Sequence, residues 1–306
     1  MTQKVFIDGA AGTTGLEIAE RLAGRSEFSL VTLDDARRKD AAARREALND
    51  ADFVILCLPD AAAIEAVAMI ENGRTRVIDA STAFRVDPDW AYGFPELRIA
   101  QRDAIAASKR VSNPGCYPTG FLALVAPLVA AGIVARDARL SVNAVSGYSG
   151  GGKELIARFE ADQDIGFRSY GLNLAHKHVP EMQQHAGLAH APLFAPAVVP
   201  VYRGMLVEVP LAFDEATADA AFAALAAHFG GSPLVSVRRA GDESELLLRQ
   251  SDAATDRVDL TLYADPSASQ IRLVARLDNL GKGASGACVQ NLNIMAGLPE
   301  TAGLRI

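Results

Sequence analysis

Residues 112–120 read SNPGCYPTG, and they hold a single thiol, Cys116, between two prolines and two glycines. Proline fixes φ, and glycine admits turns that other residues resist. A cysteine packed as a small hydrophobe needs no such frame, whereas a nucleophile must be aimed. Pro118 suits the first position of a helix that TGFLALVAPLVAAG can continue, so Cys116 is expected just before a helix N-terminus. The dipole and the free N–H groups there favour the thiolate. Asn113, Pro114 and Gly115 form the turn that aims it. Cys57, in an apolar strand, and Cys288, on an apolar helix, read as packed side chains.

A thiolate nucleophile needs a proton partner. The segment HKHVPEM offers His176 and His178 on either side of Lys177, just ahead of Pro180 and Glu181, which suit the first turn of a helix. In an extended segment the two imidazoles project to one side and Lys177 to the other. A helix N-terminus disfavours imidazolium and keeps a nearby imidazole neutral, as a base requires. The sequence does not decide between the two. His176, farther from the helix and freer to turn, is the favoured acid/base, with His178 binding substrate.

A third cluster, DGAAGTTG, sets Gly9, Gly12, Thr13, Thr14 and Gly15 between a strand pattern and a helix pattern. A glycine loop in that position lets the backbone approach a pyrophosphate at a helix N-terminus. The spacing is GxxGxxG, and its strand–loop–helix context gives it weight. The second strand ends in LDDARRK. Asp34 and Asp35 would suit the ribose of NAD, and Arg37 and Arg38 the 2′-phosphate of NADP. The reading leans to NADP through Arg37.

The elements that must position these residues follow two textures. The first third alternates KVFID, TGLEIAERLAG, FSLVTL, RRKDAAARREALN, DFVILCLP, DAAAIEAVAMIENG and RVIDAS. Strand and helix alternating at that spacing predict a Rossmann-type, doubly wound parallel α/β sheet. Beyond about residue 117, RLSVNAVSG, AVVPVYRGMLVEVPL, DRVDLTLYAD and QIRLVARLD predict a mostly antiparallel sheet with one exposed face. The tail, GASGACVQNLNIMAGL, is helical again. The 306 residues therefore divide into a discontinuous cofactor domain, 1–115 with 283–306, and a catalytic and oligomerisation domain, 116–282.

The composition is globular, with 50% hydrophobic and 22% charged residues, and the net charge of −7 argues against nucleic acid or an anionic membrane as partner. The longest apolar run is too short to span a bilayer and holds Pro127. The chain enters a strand pattern at once, so no signal peptide is expected. Three cysteines without a CxxC pair fit a reducing cytoplasm and argue against a structural zinc, and no metal is expected.

The segments GAAGTTG, DASTAFR, SNPGCYPTG, SGYSGGGK, HKHVPEM and DNLGKGASGACVQNLN occur in that order over nearly the whole chain. Together they resemble the N-acetyl-γ-glutamyl-phosphate reductases, in their shorter form, within the aspartate-semialdehyde dehydrogenase superfamily. The resemblance implies a glyceraldehyde-3-phosphate dehydrogenase-like α/β architecture and NADPH-dependent reduction of an acyl phosphate, with Cys116 forming a thioester as phosphate leaves. It implies that Arg85 and Ser81 hold the phosphate, with Asn113 nearby and Lys177 or Arg203 assisting. Ser146 and Gly147, with Ser149 and Gly150, would form a loop over cofactor or substrate. Asn279 would meet the nicotinamide amide, and Gly283, with Gly281 and Gly286, would let the last helix start close to it. A homodimer or homotetramer is implied, with a small-molecule acyl phosphate and inorganic phosphate as the other partners.

Rival readings share parts of this pattern. Aspartyl phosphate or an aminoadipyl derivative would undergo the same chemistry. A short-chain dehydrogenase needs YxxxK, and Tyr148 to Lys153 is one residue too long. A non-catalytic NADP sensor would not need an aimed cysteine beside a histidine pair.

Overall fold

The computed structural model describes residues 2–34, 36–212, 215–265 and 269–306. In chain order the first elements are β1 (Gln3–Asp8), α1 (Thr13–Leu22), β2 (Phe28–Val31), α2 (Ala41–Asp50), β3 (Phe53–Leu56), α3 (Asp60–Ala68) and β4 (Arg76–Asp79). Then come β5 (Ala91–Tyr92), α4 (Gln101–Ala107), β6 (Arg110–Ser112) and α5 (Cys116–Ala130). The middle of the chain forms β7 (Ser141–Gly147), α6 (Gly152–Ala161), β8 (Arg168–Ser169), α7 (Val179–Ala186), β9 (Leu193–Val199) and β10 (Met205–Ala212). The last are α8 (Glu215–Phe229), β11 (Val235–Arg239), β12 (Val258–Asp265), β13 (Gln270–Leu277) and α9 (Gly286–Met295).

The chain forms two compact units. One comprises Met1–Pro114 and Ala284–Leu304, the other Gly115–Gly283 and Arg305–Ile306. In the first, the described strands run in the order β2-β1-β3-β4-β6-β5, every pairing parallel. β3 (FVIL) is buried along its whole length, as a strand covered on both faces must be. α9 closes one face: its Cys288, Val289, Leu292 and Met295 join Val5, Ile7, Ile55, Ile78 and Val111 in one core. FSLVTL is strand only over Phe28–Val31. RRKDAAARREALN breaks at Asp40, whose Oδ1 accepts the Ala43 amide at 2.7 Å and starts α2 there.

In the second unit the order is β11-β12-β13-β10-β7-β9-β8. The β11/β12 and β7/β9 pairs are parallel and the other four antiparallel, so the sheet is mixed with an antiparallel majority. Alternate residues such as Met205, Val207 and Val209 of β10 turn to one buried face. Against that face lies α5, buried from Tyr117 to Leu128, a helix apolar all round because the core surrounds it. AVVPVYRGMLVEVPL is two strands, not one. Pro200 has no N–H for a ladder, and Gly204, at φ +99°, completes the turn into β10.

Two local expectations change at the site. α5 begins at Cys116, with Gly115 as its extended N-cap, so the nucleophile is the first helical residue. Pro118 then occupies the third position, where its missing N–H costs nothing because the first four amides of a helix have no partner within it. The HKH segment is a turn rather than an extended strand: His178 has helical dihedrals (φ −83°, ψ −13°) and is the N-cap of α7.

Candidate active site

In the parallel unit the glycine loop is shaped by close approach. Gly9 has φ +90°, and a Cβ on it would lie 2.3 Å from the Cys57 carbonyl oxygen. A Cβ on Gly15 would lie 2.6 Å from the Gly9 oxygen. Gly12, between them, donates its N–H to Gly9 O at 3.0 Å and is the N-cap of α1, where no side chain caps the helix. Thr13 and Thr14 open the first turn. A cradle of backbone leading to an uncapped helix start is the geometry that receives a pyrophosphate, and it fits a dinucleotide. At the end of β2, Asp34 Oδ1 accepts the Arg37 amide at 2.8 Å, and the exposed Arg37 guanidinium lies 3.3 Å from Glu46. Asp34 thus caps a turn, and Arg37 is paired at the surface with Glu46. Asp35 lies outside the described residues.

At the ends of β4 and β6, Ser81, Arg85 and Asn113 form one buried cluster. Ser81 Oγ donates to Asp79 Oδ2 at 2.6 Å. Arg85 donates to the carbonyls of Asn113 (3.0 Å) and Ala80 (3.1 Å). The Asn113 carboxamide ties the strand end to the last helix: Nδ2 donates to Ala284 O at 3.0 Å, and Oδ1 accepts from Asn291 at 3.1 Å. It therefore braces the strand end. Burial pushes the Asp79 carboxyl up to about 6, against the pull of its hydrogen bonds to Ser81. Burial also raises the Cys57 thiol to about 12, helped by Asp79 and Asp8, and raises that of Cys288. Both are inert packed side chains.

In the second unit Cys116 sits against Gly283, whose added Cβ would come within 2.9 Å of the Cys116 Cβ. Cys116 by itself already requires glycine at this position. Tyr117, the next residue, is the hub of an aromatic cluster. Its ring lies 6.2 Å from His176, 5.9 Å from His178 and 5.1 Å from Phe194, centre to centre. Its hydroxyl donates to Ala197 O at 3.0 Å and accepts from the Tyr170 hydroxyl at 3.3 Å. Burial raises both phenols, Tyr170 to about 12, so both stay protonated. Neither tyrosine was singled out by the sequence reading. Tyr117 carried only its adjacency to Cys116 as a signal, and Tyr170 carried none.

The histidine pair closes on itself. The His178 amide donates to His176 Nδ1 at 3.1 Å, and the rings lie 4.8 Å apart. That bond assigns the proton of neutral His176 to Nε2. Burial first, and then Lys177, lowers the His176 pKa to about 4. Protonating Nδ1 would set two donors against each other, so the neutral ring of His176 presents Nε2–H as a hydrogen-bond donor. His178 is 7% exposed and begins α7. Lys177 is exposed on the turn and acts on His176 through its charge.

The SGYSGG loop is stitched rather than loose. Ser146 Oγ donates to Gly147 O at 3.0 Å, and Gly147 packs where a Cβ would be 2.7 Å from Tyr202 O. Asn279 donates to Ser149 Oγ at 2.9 Å and accepts the Gly204 amide at 3.0 Å. Its carboxamide thus joins two loops of its own unit. Arg203 pairs with buried Asp278 at 2.9 Å. The structure thus gathers Cys116, His176, His178, Ser146 and Asn279 in one unit and the glycine loop, Ser81, Arg85 and Asn113 in the other. Among the described residues no helix is long and apolar enough to cross a membrane.

A parallel sheet with a glycine cradle and a mixed-sheet unit with a helix-start cysteine define a dehydrogenase of the semialdehyde class. Residues 34–107 match the family described as semialdehyde dehydrogenase, NAD binding domain, and residues 116–279 match semialdehyde dehydrogenase, dimerisation domain. The N-acetyl-gamma-glutamyl-phosphate reductase of Trichormus variabilis is 49% identical, over 98% of this chain and 99% of that protein. The reductase of that name from Rhizobium johnstonii is 50% identical over 96% and 99%. In fold, the chain resembles aspartate semialdehyde dehydrogenase II of Vibrio cholerae complexed with ASA (TM-score 0.74, 17% identity, 97% and 99% coverage). It also resembles the aspartate semialdehyde dehydrogenase of Candida albicans with NADP (TM-score 0.62, 14% identity, 99% of both chains). The chain belongs to the semialdehyde dehydrogenase family, among its N-acetyl-γ-glutamyl-phosphate reductases.

Proposed function

We propose that the chain reduces N-acetyl-γ-glutamyl phosphate to N-acetylglutamate 5-semialdehyde with NADPH, releasing inorganic phosphate. The observation that carries this is Cys116 at the first position of α5, with both histidine rings packed on the neighbouring Tyr117. The helix start stabilises negative charge on sulfur. Cys116 attacks the acyl carbon, a C–S bond forms, and the bond to the phosphate oxygen breaks. Gly9, Gly12, Thr13, Thr14 and Gly15 would hold the pyrophosphate of NADPH, which supplies the hydride for reduction of the thioester. Hydride addition to the thioester carbonyl leaves an oxyanion, to which His178 gives a proton; His178 takes that proton back as the C–S bond breaks, the aldehyde leaves and the Cys116 thiolate is restored. His176 donates Nε2–H to the substrate, and Arg85 with Ser81 receives the phosphate.

The test is phosphate-dependent NADP reduction with N-acetylglutamate semialdehyde and aspartate semialdehyde in parallel. Faster turnover of the aspartate compound would overturn the substrate assignment. Cys116→Ser should abolish turnover and leave NADPH binding intact, because a serine hydroxyl has a far higher pKa than a thiol and a helix start does not ionise it. A serine variant with a tenth of wild-type rate would end the thioester mechanism.

The second unit leaves Phe167, Leu172, Leu174 and Leu193 exposed, and we assign these to the contact of a homodimer, two of which would form a tetramer. Sedimentation of a micromolar sample as a monomer would refute this. Cys57, Cys116 and Cys288, none of them in a disulfide, suit a reducing cytoplasm.

A further inference from the structure

Glu181 is 1% exposed in the first turn of α7, and its Oε1 accepts the Gly115 amide at 2.8 Å. Gly115 is the N-cap of α5, the residue that sets the direction in which Cys116 enters the helix (φ −71°, ψ 151°). His178 is the N-cap of α7, and α5 packs on α7. The Glu181 side chain therefore joins the cap of the helix that carries the thiol to the first turn of the helix that carries the imidazole. Gly283 blocks movement of Cys116 from another side, at the 2.9 Å approach already described. The peptide N–H of Gly115 is buried, and a carboxylate that reaches it fixes the orientation of the peptide that leads into Gly115, and so the path on which the chain enters Cys116.

The geometry points to Glu181 as a positioning residue that holds the Cys116 thiol in register with His178 through the Gly115 amide. This rests on the reductase reading above. The element that matters is an acceptor at the right reach, and charge is secondary. Gln at 181 keeps an oxygen at the same distance without charge. Asp keeps the charge and falls one methylene short. A misplacement of about 1 Å at a reacting centre costs about 10²-fold in rate.

The experiment compares Glu181→Gln, Glu181→Asp and Glu181→Ala with the full-length chain, on whichever semialdehyde the wild type oxidises. A different preferred substrate would then overturn the reductase reading and leave this test intact. The Asp and Ala variants should lose about 10²-fold in kcat, with KM and NADPH affinity within about threefold of wild type. Glu181→Gln should restore kcat to within about threefold. Should the Ala variant fail to fold, the Asp and Gln pair carries the comparison alone. An Asp variant as active as wild type, or a Gln variant as impaired as Asp, would overturn the assignment, since each would make charge and not reach the property that counts.

Discussion

Exchanging the two histidines in turn separates proton transfer from substrate binding. An imidazole with an ordinary value near 6.5 is protonated in about one molecule in four at pH 7; lowered to about 4, His176 is protonated in about one in a thousand. As an imidazolium acid, His176 would therefore be depleted some hundreds-fold near neutrality. As a base at Nε2 it would need its proton on Nδ1, where the His178 amide already donates. His178→Asn is thus expected to lower kcat by about 10²–10⁴-fold. His176→Asn should raise KM severalfold and leave kcat within about threefold, because asparagine still offers an N–H donor.

The assay is NADPH formation in the oxidative direction across pH 5.5–9.5, with saturating phosphate. The alkaline rise in kcat should vanish in His178→Asn and persist in His176→Asn. Proton NMR of the ring should show His176 titrating near 4. The opposite kinetic pattern, or a His176 midpoint near 6.5, would refute the reasoning. Equal and small effects from both variants would assign the proton to another group or to water.

Two other substitutions test the frame. Gly283→Ala should cost about 1–3 kcal/mol through overpacking and should also lower kcat, because the new methyl meets the Cys116 Cβ at 2.9 Å; wild-type kcat with unchanged thermal stability would contradict the contact. Asp79→Asn tests the buried carboxyl, whose folded value near 6 lies above the ordinary 3.8, so that folding favours its protonated form. That preference is satisfied below the unfolded value and lost as pH rises through 6, at a cost of about 3 kcal/mol at pH 8. The variant should therefore gain about 2 kcal/mol more over wild type at pH 8 than at pH 4 in thermal unfolding, and an equal gain at both would contradict it.

Much of the frame was legible because backbone chemistry is local. Gly9 and Gly15 stand where only glycine fits, Gly9 at positive φ and Gly15 against the Gly9 oxygen, and a glycine cluster between a strand and a helix pattern is visible in sequence. The apolar run FVIL announced a strand covered on both faces. The helix start was misread by two residues for an equally local reason. Proline favours the first helical position, but the third is just as tolerant, since its amide has no helical partner either. HKH was read as extended because nothing local distinguishes a strand from a turn that ends in an N-cap. The His178 amide to His176 Nδ1 bond, which settles the tautomer, exists only in the turn.

Contacts between distant segments were illegible for a different reason. Tyr170 lies 53 residues from the Tyr117 hydroxyl it donates to, and Glu181 lies 66 residues from the Gly115 amide it receives. In sequence, a carboxylate in a first turn is sufficiently explained by the dipole of its own helix. The bonds of the Asn279 carboxamide to Ser149 and Gly204, across 130 and 75 residues, are equally invisible in sequence. The residues that perform chemistry reveal themselves by type, because few side chains can be nucleophiles or bases. The residues that hold them in place are ordinary acceptors and amides, and only packing tells which amide each one meets. A reading by residue type therefore points to Cys116 and the histidines and overlooks Glu181, whose oxygen sits 2.8 Å from the Gly115 nitrogen at the start of the helix that carries the thiol.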